Sequence, residues 1–228
     1  MRRQDLTSVR ILCVKSGNPI SIHDGDIDAR WPSPLAELDL DLAPATILTH
    51  YTQLSRILGR IGQDIYRNQH KTGSILLTSI QSIMDELDQW RLAIPPQLDL
   101  DLTSPHHLCR ENVSIFLHYY QCVIMTCRPV LYSICKRRLE ELAAGRAPEM
   151  WQRGLSRSVV HIIGHSITAA RDATAAMDAA SKCNLLGKLT AKIVDVLMLL
   201  SNLRLHGWRA CIFRCFGIGH GERGLPVQ

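Results

Sequence analysis

The chain has 228 residues, 46% of them hydrophobic and 21% charged, which is the composition of a globular protein with a sizeable core. Glycine and proline are too few for a fibrous or linker-dominated protein, and aromatic residues make up only 5%, so Leu, Ile, Val and Ala must supply most of the core. Charge is uneven: residues 1–127 carry a balance of −3 and residues 128–228 a balance of +8, spread along the chain with no cluster larger than Lys136-Arg137-Arg138. A diffuse positive face of this kind predicts a solvated surface and only weak, sequence-independent attraction to nucleic acid.

Met1-Arg2-Arg3-Gln4-Asp5 leads into polar residues without the apolar core of a signal peptide. The most apolar run, Ile193–Leu200, is interrupted by Asp195 and is too short to span a bilayer, so no membrane partner is expected. Residues 9–46 are dense in turn signals, Gly17-Asn18-Pro19, Asp24-Gly25-Asp26 and Trp31-Pro32-Ser33-Pro34, and show no period beyond a short strand or turn at Pro19–His23. Residues 1–46 therefore read as an irregular segment belonging to the helical domain that follows.

From Ile47 the pattern becomes helical. Ile47, Tyr51, Leu54, Leu58, Ile61 and Ile65 form one apolar stripe, with Pro44 near the start, where its missing N–H costs nothing. Leu76, Ile80, Ile83, Leu87 and Trp90 repeat the spacing on a second helix, which Pro95-Pro96 ends. Ser104 and Pro105 predict the N-cap and first turn of a third helix, running to Arg128, where Pro129 should break or kink it before Val130–Leu142 continues. A fourth helix is expected over Leu155–Ala180, alanine-rich in its second half, and a last apolar one over Leu189–Leu205. The class is all-α, an irregular multi-helix bundle, with residues 47–183 as the helical domain and 184–228 as a divergent apolar helix and tail.

No constellation nominates catalysis, and the chain is not expected to be an enzyme. A helical pocket serving an enzyme or a ligand carrier is the rival class, but no titratable cluster marks one. His161 and His165 lie one turn apart, yet Ile162 stands where a zinc protease needs Glu. Cys211, Cys215 and His220 lack a fourth metal ligand. Asp24, Asp26 and Asp28 alternate as at the start of a calcium loop, but Ala29 replaces the obligatory Gly and Leu35 the bidentate Glu, so these acids are expected to accept backbone N–H bonds in a turn. Gly217–Gly221 is glycine-rich without a phosphate-loop Lys, and reads as a flexible tail. Eight cysteines without a C-x2-C pair predict reduced, mostly buried thiols and no metal in this chain.

Four segments, in order, resemble the fungal-specific transcription factor domain, the middle homology region of fungal zinc-binuclear-cluster regulators, over about residues 9–183. They are Gly17-x-Pro19 followed by Ser21-Ile22, Asp24, Asp26, Asp28 and Pro32; Ile61–Tyr66; Leu87-Asp88-Gln89-Trp90 with Ile94-Pro95; and Leu117–Leu131, containing His118-Tyr119-Tyr120-Gln121 and Arg128-Pro129. Each of these residues suits an architectural role: a tight reversal at Gly17 and Pro19, an aromatic anchor at Trp90 on a proline-stopped helix, polar tips on an apolar helix at His118, Tyr119 and Gln121, and a cation at a helix end at Arg128. The resemblance implies a regulatory domain in the nucleus that modulates transcription through the transcription machinery, regulatory proteins or a small-molecule effector. In that family a six-cysteine, two-zinc module reads DNA, and no such module is present in this sequence, so no sequence-specific DNA binding is expected of this chain. The family's upstream helices are also missing. A fragment or a truncated gene model is therefore expected, with the faces of Ile47–Tyr66 or Leu76–Trp90 partly uncovered and self-association as the consequence. A free-standing helical interaction or ligand-binding remnant remains the alternative.

Overall fold

The structure, a computed structural model, describes Cys13 and residues 44–67, 72–103, 108–145 and 154–185. Among these residues there are four α-helices and no strand: α1 (Pro44–Ile61), α2 (Gly73–Leu92), α3 (Arg110–Ala143) and α4 (Arg157–Lys182). A π-helical turn, Gly62–Arg67, extends α1, and a 3-10 turn, Pro96–Leu98, follows α2. The class is all-α, as the helical spacing predicts. The turn motifs at 16–32, the calcium-like acids, the expected helix at 189–205 and the tail lie outside the described residues.

The chain divides into two compact units. Of the described residues, the first contains α1, α2, α3 as far as Arg128 and α4 from Gly164; the second contains 129–145 and 154–163.

In the first unit the middle of each stripe on α1 and α2 is fully buried: Leu54, Leu58, Ile61, Ile80, Ile83 and Leu87 are each 0% exposed. Ile47, Tyr51 and Leu76, nearer the starts of the two helices, are half-buried. α1 and α2 pack on each other, and α3 closes the remaining side, with Phe116 against Trp90 and the Cys127 thiol 3.9 Å from the Met84 sulfur. Ile75 and Leu92 are the apolar residues of α2 that face solvent. On α4, Ala169, Ala176 and Ala180 make one buried face of small side chains, which lets a neighbouring backbone come close. The second unit buries Val130, Ile134 and Cys135 of α3, and Ile162 and Ile163 of α4.

The helix ends differ from expectation in instructive ways. The third helix begins at Arg110, with Leu108 and Cys109 non-helical, whereas Ser104 and Pro105 had signalled its start; residues 104–107 are outside the described set. Asn112 explains the later start. Its side-chain oxygen accepts from the Cys109 N–H at 3.0 Å while its own N–H points at the Cys109 sulfur at 3.5 Å, a reciprocal cap with Cys and Asn in place of Ser and Glu. Ser156 caps α4 through the Val159 N–H at 3.4 Å. At the other end Asn184 takes a left-handed φ of 58°, and the Leu185 and Asn184 N–H groups bond to the Ala180 and Ser181 carbonyls. That pairing closes the helix, and Asn tolerates the conformation better than most residues. α3 also continues through Pro129 as one helix, so of the break or kink that the sequence predicted there, the break does not occur.

Candidate functional site

The motif residues that fall among the described positions come together in two places, both in the first unit. The larger is an aromatic cluster around Trp90, which sits in the last turn of α2 and is 4% exposed. Its ring stacks on Tyr119 (centroids 5.4 Å apart, planes 16° apart) and meets Phe116 edge-on at 6.3 Å. The His50 ring stands nearly perpendicular to it, at 82° and 6.0 Å between centroids. The indole N–H, which a buried Trp must satisfy, donates to the His50 carbonyl at 3.2 Å. Tyr119 and Phe116 each pack on Tyr120, and the Arg91 guanidinium lies 4.8 Å over the Phe116 ring while bonding Asp99 at 2.8 Å. Pro95, extended at φ −67°, opens the 3-10 turn that carries Leu98 back into the core and Asp99 to Arg91. Prolines after α2 therefore do two things: they stop the helix and they aim the following chain at the cluster.

His118 lies one helix turn from Ser114 on α3, and its ring stacks on Tyr51 of α1 at 6.1 Å. The Tyr51 hydroxyl donates to the Ser114 hydroxyl. Gln121 is half-buried on the same helix. The second place is the end of the π turn, where the Tyr66 hydroxyl donates to the Met125 carbonyl at 2.8 Å. Arg128, exposed, stands close enough to Tyr66 to act on its ionisation.

Burial sets the electrostatics of both places. It raises the phenols of Tyr119 and Tyr120 to about 12, with the carboxylates of Asp88 and Asp172 adding to the effect at Tyr119 and Tyr120 respectively. Burial also raises Tyr51 and Tyr66, the latter opposed by the Arg128 charge. It pushes the Cys127 thiol up to about 12 and Cys122 in the same direction, and it lowers His50. Every one of these shifts favours the neutral form. The cluster is built to pack and hydrogen-bond, with burial working against a thiolate at Cys122 and Cys127, a phenolate at these tyrosines and an imidazolium at His50.

A polar groove of about 580 Å³ lies over α1 and α2, lined by Arg60, Thr78, Gln81, Ser82, Asp85, Glu86 and Gln89. Its one cation is already spoken for: the Arg60 guanidinium bonds Asp64 at 3.2 Å, Glu86 at 2.8 Å and Ser82 at 2.8 Å. Among the described residues no group of three or more His, Cys, Asp or Glu is placed to hold a metal ion. His161 is exposed and His165 half-buried on α4; Cys211, Cys215 and His220 lie outside the described residues, as do Gly17, Pro19, Asp24, Asp26, Asp28 and Pro32. No described helix is long and apolar enough to cross a membrane.

Sequence reasoning singled out Trp90, Pro95, His118, Tyr119, Gln121, Arg128 and Pro129, and the structure gathers Trp90 with Tyr119 and places Pro129 four residues after the carbonyl that Tyr66 serves. It missed His50 as the acceptor for Trp90, Tyr51 as the partner of Ser114 and His118, and Asn112 as a cap. Tyr51 lay within the apolar stripe of α1, and a tyrosine in a leucine-isoleucine stripe is a signal that its hydroxyl needs a buried partner.

Over 129 residues, 55% of its length, the chain is 28% identical to an uncharacterized transcriptional regulatory protein of Schizosaccharomyces pombe, and the aligned part spans 16% of that protein. No protein-family model matches the chain, and no solved structure matches it. The detected likeness is thus to a transcriptional regulator, through a small part of that regulator's length.

Proposed function

We propose that this chain is a helical regulatory domain of a fungal transcription regulator, akin to the middle homology region of zinc-binuclear-cluster factors, which acts in the nucleus through contacts with transcription-machinery or regulatory proteins. The observation that carries the reading is the 129-residue similarity to a transcriptional regulatory protein. It is supported by the way Tyr119 and Tyr120 of one motif pack with Trp90 of another in one aromatic cluster, which gives these motif residues a shared structural purpose. On this reading the chain is not an enzyme, holds no cofactor or zinc, and does not read DNA sequence by itself; a small-molecule effector would act by shifting the helical packing.

The test tethers the 228-residue chain to an unrelated DNA-binding module upstream of a reporter gene in a fungal cell. Expected is a change in reporter output of several-fold, of either sign, that Trp90→Ala abolishes at equal protein level. A folded, nuclear fusion that leaves the reporter unmoved would refute the proposal and favour a helical interaction protein outside transcription. In parallel, a duplex titration near physiological salt should show only weak binding without sequence preference, and elemental analysis after dialysis should find no stoichiometric zinc.

A further inference from the structure

A proline inside a helix creates a specific deficit. Pro129 has no N–H, so the carbonyl four residues earlier, Met125, loses its helical donor, and the proline ring pushes that carbonyl outward. α3 nevertheless stays helical from Arg110 to Ala143. The Tyr66 hydroxyl lies 2.8 Å from the Met125 carbonyl oxygen. Tyr66 reaches it because α1 ends in a π turn, Gly62–Arg67, which keeps Ile65 in the core and carries Tyr66 to the surface, where it is 38% exposed. One turn before Pro129, the Thr126 hydroxyl bonds the Cys122 carbonyl at 2.8 Å, a second side chain serving a main-chain acceptor in the same stretch.

We propose that Tyr66 and Pro129 are one device: the tyrosine hydroxyl replaces the amide hydrogen that the proline lacks, and so latches the π turn to α3 at the point where that helix would otherwise break. The two residues, 63 positions apart in sequence and drawn from different motifs, are then energetically coupled. Tyr66 acts here as a positioning residue through the Met125 carbonyl. With alanine at 129 the helix supplies its own donor, and the tyrosine hydroxyl becomes dispensable.

The experiment is a double-mutant cycle on the 228-residue chain, using Tyr66→Phe and Pro129→Ala. Tyr66→Phe should raise the unfolding constant about fivefold in the proline-bearing chain, the scale of one lost hydrogen bond, and less than about twofold once Pro129→Ala is present. Equal effects in the two backgrounds would overturn the proposal. A second measurement stands even if Pro129→Ala does not fold. Met125–Thr126 is the one Met-Thr pair in the sequence, so carbonyl-13C methionine with 15N threonine isolates the Met125 carbonyl resonance. Tyr66→Phe should move it upfield, as expected for a lost donor; an unmoved resonance would show that the hydroxyl does not serve this carbonyl.

Discussion

Replacing Trp90 by alanine tests the aromatic cluster most directly. A tryptophan buries on the order of 150–250 Å², and at about 25 cal/mol per Å² full burial is worth about 4–6 kcal/mol. Trp90 is 96% removed from water by its 4% exposure. An unfolded chain already hides part of that surface, which trims the figure by about 10–40%. The result, about 3–5 kcal/mol, matches the usual cost of truncating a buried aromatic to alanine. Loss of the indole donor adds little, because the His50 carbonyl lies inside α1 and keeps a helical amide. Trp90→Phe separates the two contributions: it retains the stack on Tyr119 and costs about 1–2 kcal/mol. Urea unfolding followed by far-ultraviolet circular dichroism reads both. With a slope of about 2 kcal/mol per molar, Trp90→Ala should move the midpoint down by about 1.5–2.5 M and Trp90→Phe by about 0.5–1 M. A shift below about 0.5 M for the alanine variant would mean that Trp90 does not anchor the packing of α1, α2 and α3, and the cluster would lose its place as the centre of the first unit.

Other expectations follow from particular contacts. Asn112→Ala removes the acceptor for the Cys109 N–H and should cost about 1 kcal/mol, read by the same unfolding assay, while Asn112→Asp should retain most of it. In an alkaline titration followed at 295 nm, Tyr119 and Tyr120 should ionise late, near 12. Their folded values lie above the unfolded value of 10, so the folded state holds more protons between those limits, and stability, constant below pH about 10, should fall as pH rises toward about 12; ionisation of both at the unfolded value would contradict the burial. His50 works in the opposite sense: its folded value lies below 6.5, so the unfolded chain takes up the proton first, and stability should decline as pH drops below about 6.5, a loss that His50→Gln should remove. Cys122, Cys127 and Cys135 are buried and outside any disulfide, and should react with a colorimetric thiol reagent only upon unfolding; rapid reaction of all three in the native chain would refute their placement.

Much of the fold was legible because helix periodicity is a strong local signal. The stripe Leu54, Leu58, Ile61 and the stripe Ile80, Ile83, Leu87 fall in the core as their spacing predicts. Trp90 was legible as an anchor because a large aromatic just before two prolines has few other uses. What escaped was whatever depends on a distant partner or an unusual cap. Ser104-Pro105 is a sound start signal taken alone, yet α3 starts at Arg110, where a reciprocal bond between Cys109 and Asn112 fixes the end; cysteine is not a preferred capping residue and drew no attention. Pro129 read as a break or kink because helix rules count only local donors, and the compensating hydroxyl comes from Tyr66, far away in sequence. The neighbour of α2 escaped for a similar reason: α3 sets Phe116 against Trp90 and Cys127 against Met84, and no local pattern in α2 announces that partner.

The π turn at Gly62–Arg67 bears on how sequences of this kind can diverge. A π turn holds about one residue more than the α turn it replaces. Wound at α pitch, each of these residues would turn about 100° instead of about 80°, so the five steps from Ile61 to Tyr66 would swing the tyrosine by about 90° away from the Met125 carbonyl. Deleting one residue from 62–65 would have the opposite outcome: four α steps turn about as far as five π steps, so the tyrosine would keep its direction. A chain carrying a one-residue gap here should therefore be able to keep both the tyrosine and the proline at the position of Pro129, with an ordinary α turn in place of the π turn.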